Sequence, residues 1–410
     1  MSLTQGLRSP RTPMRRFLDQ ELSAGAGRVR AEYRARLPAA AVLLPGEGVG
    51  FEAGTVGTAI DQRLRLSFTC ASAVDEATEA GIARCLEVAT VYRERQEPRP
   101  SVWSVLAQVG HDLVTTLAAQ VGDLELDARN RSLTRTHEAE ERLARLLLAG
   151  AWYALNLRNP FAFPDTPLFQ AALESSERFT LERLLAVPSP ALVEDVLAQV
   201  HAAESGPLED LRQRTSPRQC IPGPTFEGSA DISADADLIV DGVLIDFKST
   251  RHVQTLPKTT VHQLLGYVLL DYSDHYRIDM VGLYLTRAGA LVAWPLEDYL
   301  ALLGARRRDL VELRSLFNRL VAHPDWLADE DPLPHQGDGV DRFLAQLAAV
   351  APNDCCLVCT QPLGQRTRRS RLYCSPFCSR RAPTLRKHGW LAVPECALRG
   401  RSRPLRELTM

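Results

Sequence analysis

Apolar residues recur at helical spacing through the first half of this chain, and the period shortens to that of strands near residue 219. Val56, Ile60, Leu64 and Phe68 stand four residues apart, on one face of a helix. From 72 to about 215, AVDEATEAGIARCLEVATVYRERQ, SVWSVLAQVGHDLVTTLAAQVG, TRTHEAEERLARLLLAGAWYALNL and ALVEDVLAQVHAAE keep a period near 3.6, punctuated by Pro and Gly. No repeat runs through them, so a solenoid is not supported. Upstream, 14–35 predicts one or two short helices and 37–55 a Pro/Gly-rich loop. Beyond 219 come short β-rich runs. LIVDGVLIDF sets Asp-Gly between two apolar stretches, a hairpin signal. A helix with proline at its start follows at 257–274, then a second strand pair across a Gly-containing turn at 279–296, one long amphipathic helix at 296–323, and a short helix at 341–350. The order predicts a mixed sheet with helices on its faces.

Composition narrows the class. The chain has 410 residues, 45% hydrophobic and 24% charged, enough for two or three domains of ordinary globular protein. No apolar run reaches membrane-spanning length, and the basic N-terminus lacks the apolar core of a secretory signal, so no membrane partner and a cytoplasmic location are expected. The net charge of −2 conceals basic ends. Residues 1–36 hold eight Arg against three acids, and 354–410 hold eleven Arg and Lys387 against three, around an acidic middle. That layout suits contact with an anionic polymer through the ends, or merely a solvated tail. Lysine occurs only at 248, 258 and 387. A lysine that persists among so many arginines marks a place where a compact ammonium is needed.

The informative segment is ADADLIVDGVLIDFKST, 234–250. Asp237 opens one strand, and Asp246 and Lys248 lie on the next. Residues two apart on a strand share a face, so Asp246 and Lys248 point together and Phe247 points into the core. The hairpin brings Asp237 close. Two carboxylates aimed at one point repel unless a cation joins them. Magnesium (or manganese) suits them, with water and phosphate filling its other positions, and the lysine can orient or activate the attacking water. Read blandly, the segment is a surface hairpin with exposed charges. Asp235 is an alternative ligand or a solvent residue, and Asp231 precedes the motif.

This segment resembles the PD-(D/E)xK nuclease superfamily, most closely its branch holding the nuclease domain of bacterial recombination helicase-nucleases. The resemblance rests on Asp237-Leu238-Ile239-Val240, on Leu244-Ile245-Asp246-Phe247-Lys248-Ser249-Thr250, and on Gln263-Leu264-Leu265-Gly266-Tyr267. Ala236 replaces the usual proline. The resemblance implies an α/β (α+β) restriction-endonuclease-like core with Asp237, Asp246, Lys248, Gln263 and Tyr267 as catalytic residues. It implies Mg²⁺ at Asp237 and Asp246, joined by Asp61 of Gly57-Thr58-Ala59-Ile60-Asp61. The expected organisation is a basic helical segment (1–55), the first core helix (56–71), a helical insertion (72–218), the nuclease core (219–300), C-terminal helices (301–353), a zinc module (354–390) and a basic tail (391–410). DNA hydrolysis is the expected activity, and nucleic-acid binding without catalysis is the alternative.

The cysteines point elsewhere. Cys356-x2-Cys359 and Cys374-x3-Cys378 have the spacing of a tetrahedral zinc site, with Cys355, His388 and Cys396 as spares. Arginines interleaved with Tyr373, Phe377 and Trp390 around it suggest phosphate contact and base stacking; a purely structural module is the alternative. In the insertion, His111-Asp112 and His137, Glu138 and Glu140 read as exposed helix polar residues, and a surface for DNA or a protein partner is left open.

Overall fold

The computed structural model describes residues 2–68, 74–94, 101–124, 133–307, 309–322 and 341–345, with four isolated positions between 373 and 380. Cys356, Cys359, Cys374 and Cys378 lie outside the described residues, as do Cys355, His388 and Cys396. The helices, in chain order, are α1 (Leu3–Arg8), α2 (Pro13–Glu21), α3 (Gly27–Arg36), α4 (Ala53–Leu66), α5 (Glu76–Glu94), α6 (Val102–Leu124) and α7 (His137–Arg158). Then follow α8 (Pro167–Glu174), α9 (Leu181–Ala186), α10 (Pro190–Glu204), α11 (Pro207–Arg214), α12 (Lys258–Leu270), α13 (Leu296–Leu303) and α14 (Leu310–Val321). Among the described residues, no helix is long and apolar enough to cross a membrane.

Five strands form one mixed sheet in sequence order: β1 (Cys220–Pro222), β2 (Leu238–Val240), β3 (Val243–Lys248), β4 (Met280–Leu285) and β5 (Ala290–Pro295). All neighbours are antiparallel except β3 and β4, which run parallel. A parallel pair needs a crossover, and α12 supplies it. The β2–β3 turn places Asp241 (φ 47°) and Gly242 (φ 79°) both in the left-handed region, as a two-residue hairpin requires. Apolar residues run almost unbroken through these strands because both faces are covered.

One face packs Leu244, Val281, Leu283 and Trp294 with residues of α1–α3 and α12–α14, such as Leu7, Phe17, Leu264 and Phe317. The other packs Leu238, Val240, Ile245, Phe247 and Tyr284 with the helical region, through residues such as Leu64, Trp152 and Val196. The long helical stretch between α4 and β1 therefore makes the second layer of a helix–sheet–helix sandwich.

The sequence expectations fail at definite places. The helix expected over 296–323 is two helices, because Gly304 takes a left-handed C-cap (φ 66°) and Asp309 caps a new start through Val311 N–H. The first turn of helix, α1, was not expected. Its Ser2–Gln5 capping box forms it, and Leu3 docks on Gly266, where a Cβ would lie 2.8 Å from Leu3 Cδ1. Glu140 is not an exposed helix residue; it is buried against Arg63. His111, His137 and Glu138 are exposed as expected.

Candidate functional site

The β2–β3 register pairs Leu238 with Ile245. One step further along that register, Asp237 stands opposite Asp246. The hairpin thus sets two carboxylates side by side, as the pleat predicts. Lys248 follows on the same face, and its Nζ lies 2.5 Å from Asp246 Oδ2. The lysine ammonium is thus the partner of this buried oxygen. Asp237 Oδ2 accepts from the backbone N–H of Phe247 at 2.5 Å, which ties the end of β2 to β3.

Three further elements close around this pair. Helix α4 brings Asp61 and, one turn on, Arg65. Arg65 Nε and Nη2 donate to Asp61 at 2.9 and 2.6 Å, and Nη2 also donates to Asp237 Oδ1 at 3.0 Å. Helix α12 brings Gln263 and Tyr267, whose side chains bond to each other at 2.7 Å. The N-terminal segment joins the rim through Ser2, Gln5 and Arg8. Together these residues line a cavity of about 1090 Å³ that also takes in Thr58, Asn159, Ser249 and Thr250. Asp61, Asp235, Asp237, Asp246, Lys248, Gln263 and Tyr267 are all at its wall. Asp235 is exposed there, and Asp231 is exposed away from it.

The end of β3 is braced from the far side of the sheet. Gln199 of α10 is fully buried and accepts from Ser249 Oγ (2.8 Å) and Thr286 Oγ1 (2.6 Å). Gln199 donates to Asp195, which is held by Arg287 at 2.8 and 2.6 Å. Thr286 N–H bonds the carbonyl of Lys248. This chain of polar groups fixes the strand just beyond the lysine, and its members are too far apart in sequence for any motif to have named them.

The charges are tightly balanced. Burial pushes the Asp246 carboxyl up to about 6, although Lys248 opposes it. Burial and the neighbouring Asp237 push Asp61 upward too, with the Arg65 guanidinium pulling against them. Burial alone would depress Lys248, but Asp246 and Asp237 outweigh it and hold the ammonium above its usual range. Arg65 is raised likewise: burial opposes, and Asp61 and Asp237 prevail. Tyr267 is pushed well up by burial and stays a phenol.

No group of three or more His, Cys, Asp or Glu side chains is arranged to hold a metal among the described residues. The two cross-strand carboxylates fit a hard cation that takes one or two protein carboxylates and completes its shell from water and phosphate, once Lys248 Nζ moves off Asp246 Oδ2. Arg65 is the residue the sequence reasoning passed over. Its signal was present: an Asp–Arg pair four apart on one helix.

The chain matches no family model, no curated protein and no solved structure.

Proposed function

We infer that the protein is a metal-dependent nuclease hydrolysing phosphodiester bonds of DNA, on a core of the PD-(D/E)xK type. The observation carrying this reading is the cross-strand Asp237–Asp246 pair with Lys248 on the same face, at the wall of an open cavity.

In this reading Asp237 and Asp246 hold a divalent cation, Mg²⁺ or Mn²⁺. Once bound, the ion supplies charge neutralisation and polarises the scissile phosphate. The chain's own groups do the rest. Lys248 stands beside Asp246 on the face of the two carboxylates. It orients the attacking water and stabilises negative charge gathering on the phosphoryl oxygens. The water oxygen bonds to phosphorus as the bond to the leaving oxygen breaks; the attacking water gives up a proton to solvent, and the leaving oxygen takes one from solvent. Gln263 offers its amide from α12, with Tyr267 fixing its orientation. Arg8 at the rim suits the adjoining backbone phosphates.

The tail cysteines Cys356, Cys359, Cys374 and Cys378 are proposed to hold Zn²⁺ and assist nucleic-acid binding. A protein partner is proposed to dock on the helical layer.

The test is cleavage of linear and circular DNA, single- and double-stranded, with Mg²⁺ or Mn²⁺. Metal-dependent products from the wild type, abolished by chelator and by Lys248→Ala, are expected. One observation favours a second reading, a nucleic-acid-binding protein without catalysis: Arg65 and Lys248 already pair with all three carboxylates. DNA binding with no cleavage on any substrate would establish that reading.

A further inference from the structure

Arg65 is the unusual member of this site. Its side chain is 8% exposed, and two of its three nitrogens are committed to Asp61 and Asp237. Nη1 has no hydrogen-bond partner among the described residues. Gly223 leaves room for it: a Cβ there would stand 2.8 Å from Nη1. That glycine sits at φ 56°, and its N–H is bound to the Asp237 carbonyl at 2.9 Å. The guanidinium lines both the site cavity and the cavity beside it, and its open donor is on the Gly223 side, at the neighbouring cavity.

We propose that Arg65 is the second cation of this centre: a fixed guanidinium that binds the substrate phosphate, so that the chain uses one divalent ion and Asp61 anchors Arg65 in place of coordinating metal. This assignment rests on the nuclease reading. Two-ion phosphodiester sites clamp the reacting phosphate between cations about 4 Å apart. Here an arginine that both carboxylates hold lies between Asp61 and Asp237, whereas beside Asp237 and Asp246 the chain places the Lys248 ammonium, on Asp246 Oδ2 alone. A planar guanidinium with a free nitrogen is also the better phosphate donor, because its geometry is set before the substrate arrives.

The test counts Mn²⁺ bound per full-length chain by electron paramagnetic resonance. Asp246→Asn serves as the blank for ions held elsewhere, and circular dichroism checks each variant's fold. The wild type is expected to bind one ion that the blank lacks. Arg65→Met is expected to take up a second and to lose affinity for short DNA. Asp61→Asn releases Arg65 without removing its charge. It is expected to keep the ion with affinity changed less than about threefold, against the 10–100-fold loss that disturbing a metal site brings, while cleavage slows. Two ions in the wild type would overturn the proposal, as would loss of the ion in Asp61→Asn. An Arg65→Met protein with one ion and wild-type DNA affinity would overturn it as well. If Asp246→Asn and the wild type bind equal numbers of ions, the nuclease reading itself falls.

Discussion

Arg63 and Arg65 leave helix α4 two residues apart and are used in opposite ways. Arg63 is 1% exposed and spends every nitrogen: on Glu140 at 2.8 and 2.6 Å, on Ser67 at 2.6 Å and on the Leu133 carbonyl at 3.0 Å. It ties α4 to α7 and has nothing left to offer a ligand. Arg65 meets two carboxylates at a cavity wall and keeps one nitrogen open. Burial is nearly the same in the two cases. The difference lies in saturation: a buried cation with every nitrogen bonded is a strut, and one with a nitrogen held in reserve faces chemistry.

The comparison can be broken most forcefully at the strut. Arg63→Met leaves Glu140 buried without a counter-charge and is expected to cost about 3–5 kcal/mol in urea unfolding, a loss that divalent ions do not recover. A cost below 1 kcal/mol would show that Arg63 is dispensable. Arg65→Met should cost about 2–3 kcal/mol without metal, because Asp61 and Asp237 then repel. Adding Mg²⁺ or Mn²⁺ should restore much of it, since an ion that binds only the folded state stabilises that state. Equal responses to metal in the two variants would dissolve the contrast.

Next in size is the effect of pH. Asp246 is raised in the folded protein to about 6. Between about 4 and 6 the native state holds a proton the unfolded chain has released, so this group favours folding on the acid side and stops doing so as pH rises through 6. Cation binding needs the carboxylate and has the opposite slope. At metal concentrations below saturation, metal affinity is therefore expected to fall by up to about tenfold per unit below pH 6. A metal affinity unchanged down to pH 5 would remove Asp246 from the metal site. The smallest effect is at Gly223→Ala, where a side chain at φ 56° costs about 1–2 kcal/mol and presses on Arg65 Nη1. Stability should drop by that amount and cleavage with it, while Arg63 and its partners are undisturbed.

Much of this site is legible in the sequence. The Asp-Gly turn fixed the hairpin, the pleat put Asp246 and Lys248 on one face, and the 3.6-residue pattern of 257–274 gave the helix that brings Gln263 and Tyr267. These are local signals, each complete within about fifteen residues. What escaped depends on contacts between distant segments. Glu140 looks solvated until Arg63, far earlier in the chain, is folded against it. Gln199 is unremarkable until β3 and β4 present Ser249 and Thr286. Arg65 reads as the partner of Asp61 and reveals its second carboxylate only once the hairpin stands beside α4. The break at Gly304 was visible as a glycine, but the amphipathic period on both sides masked it.

The most direct test of the central claim is the rate of DNA cleavage by wild-type protein and by Asp246→Asn at equal DNA occupancy, in Mg²⁺ at pH 8. The account predicts metal-dependent hydrolysis by the wild type and a loss of about 10²–10³-fold or more in the variant, with DNA binding retained. Equal rates in the two proteins, or no hydrolysis by either, would contradict it.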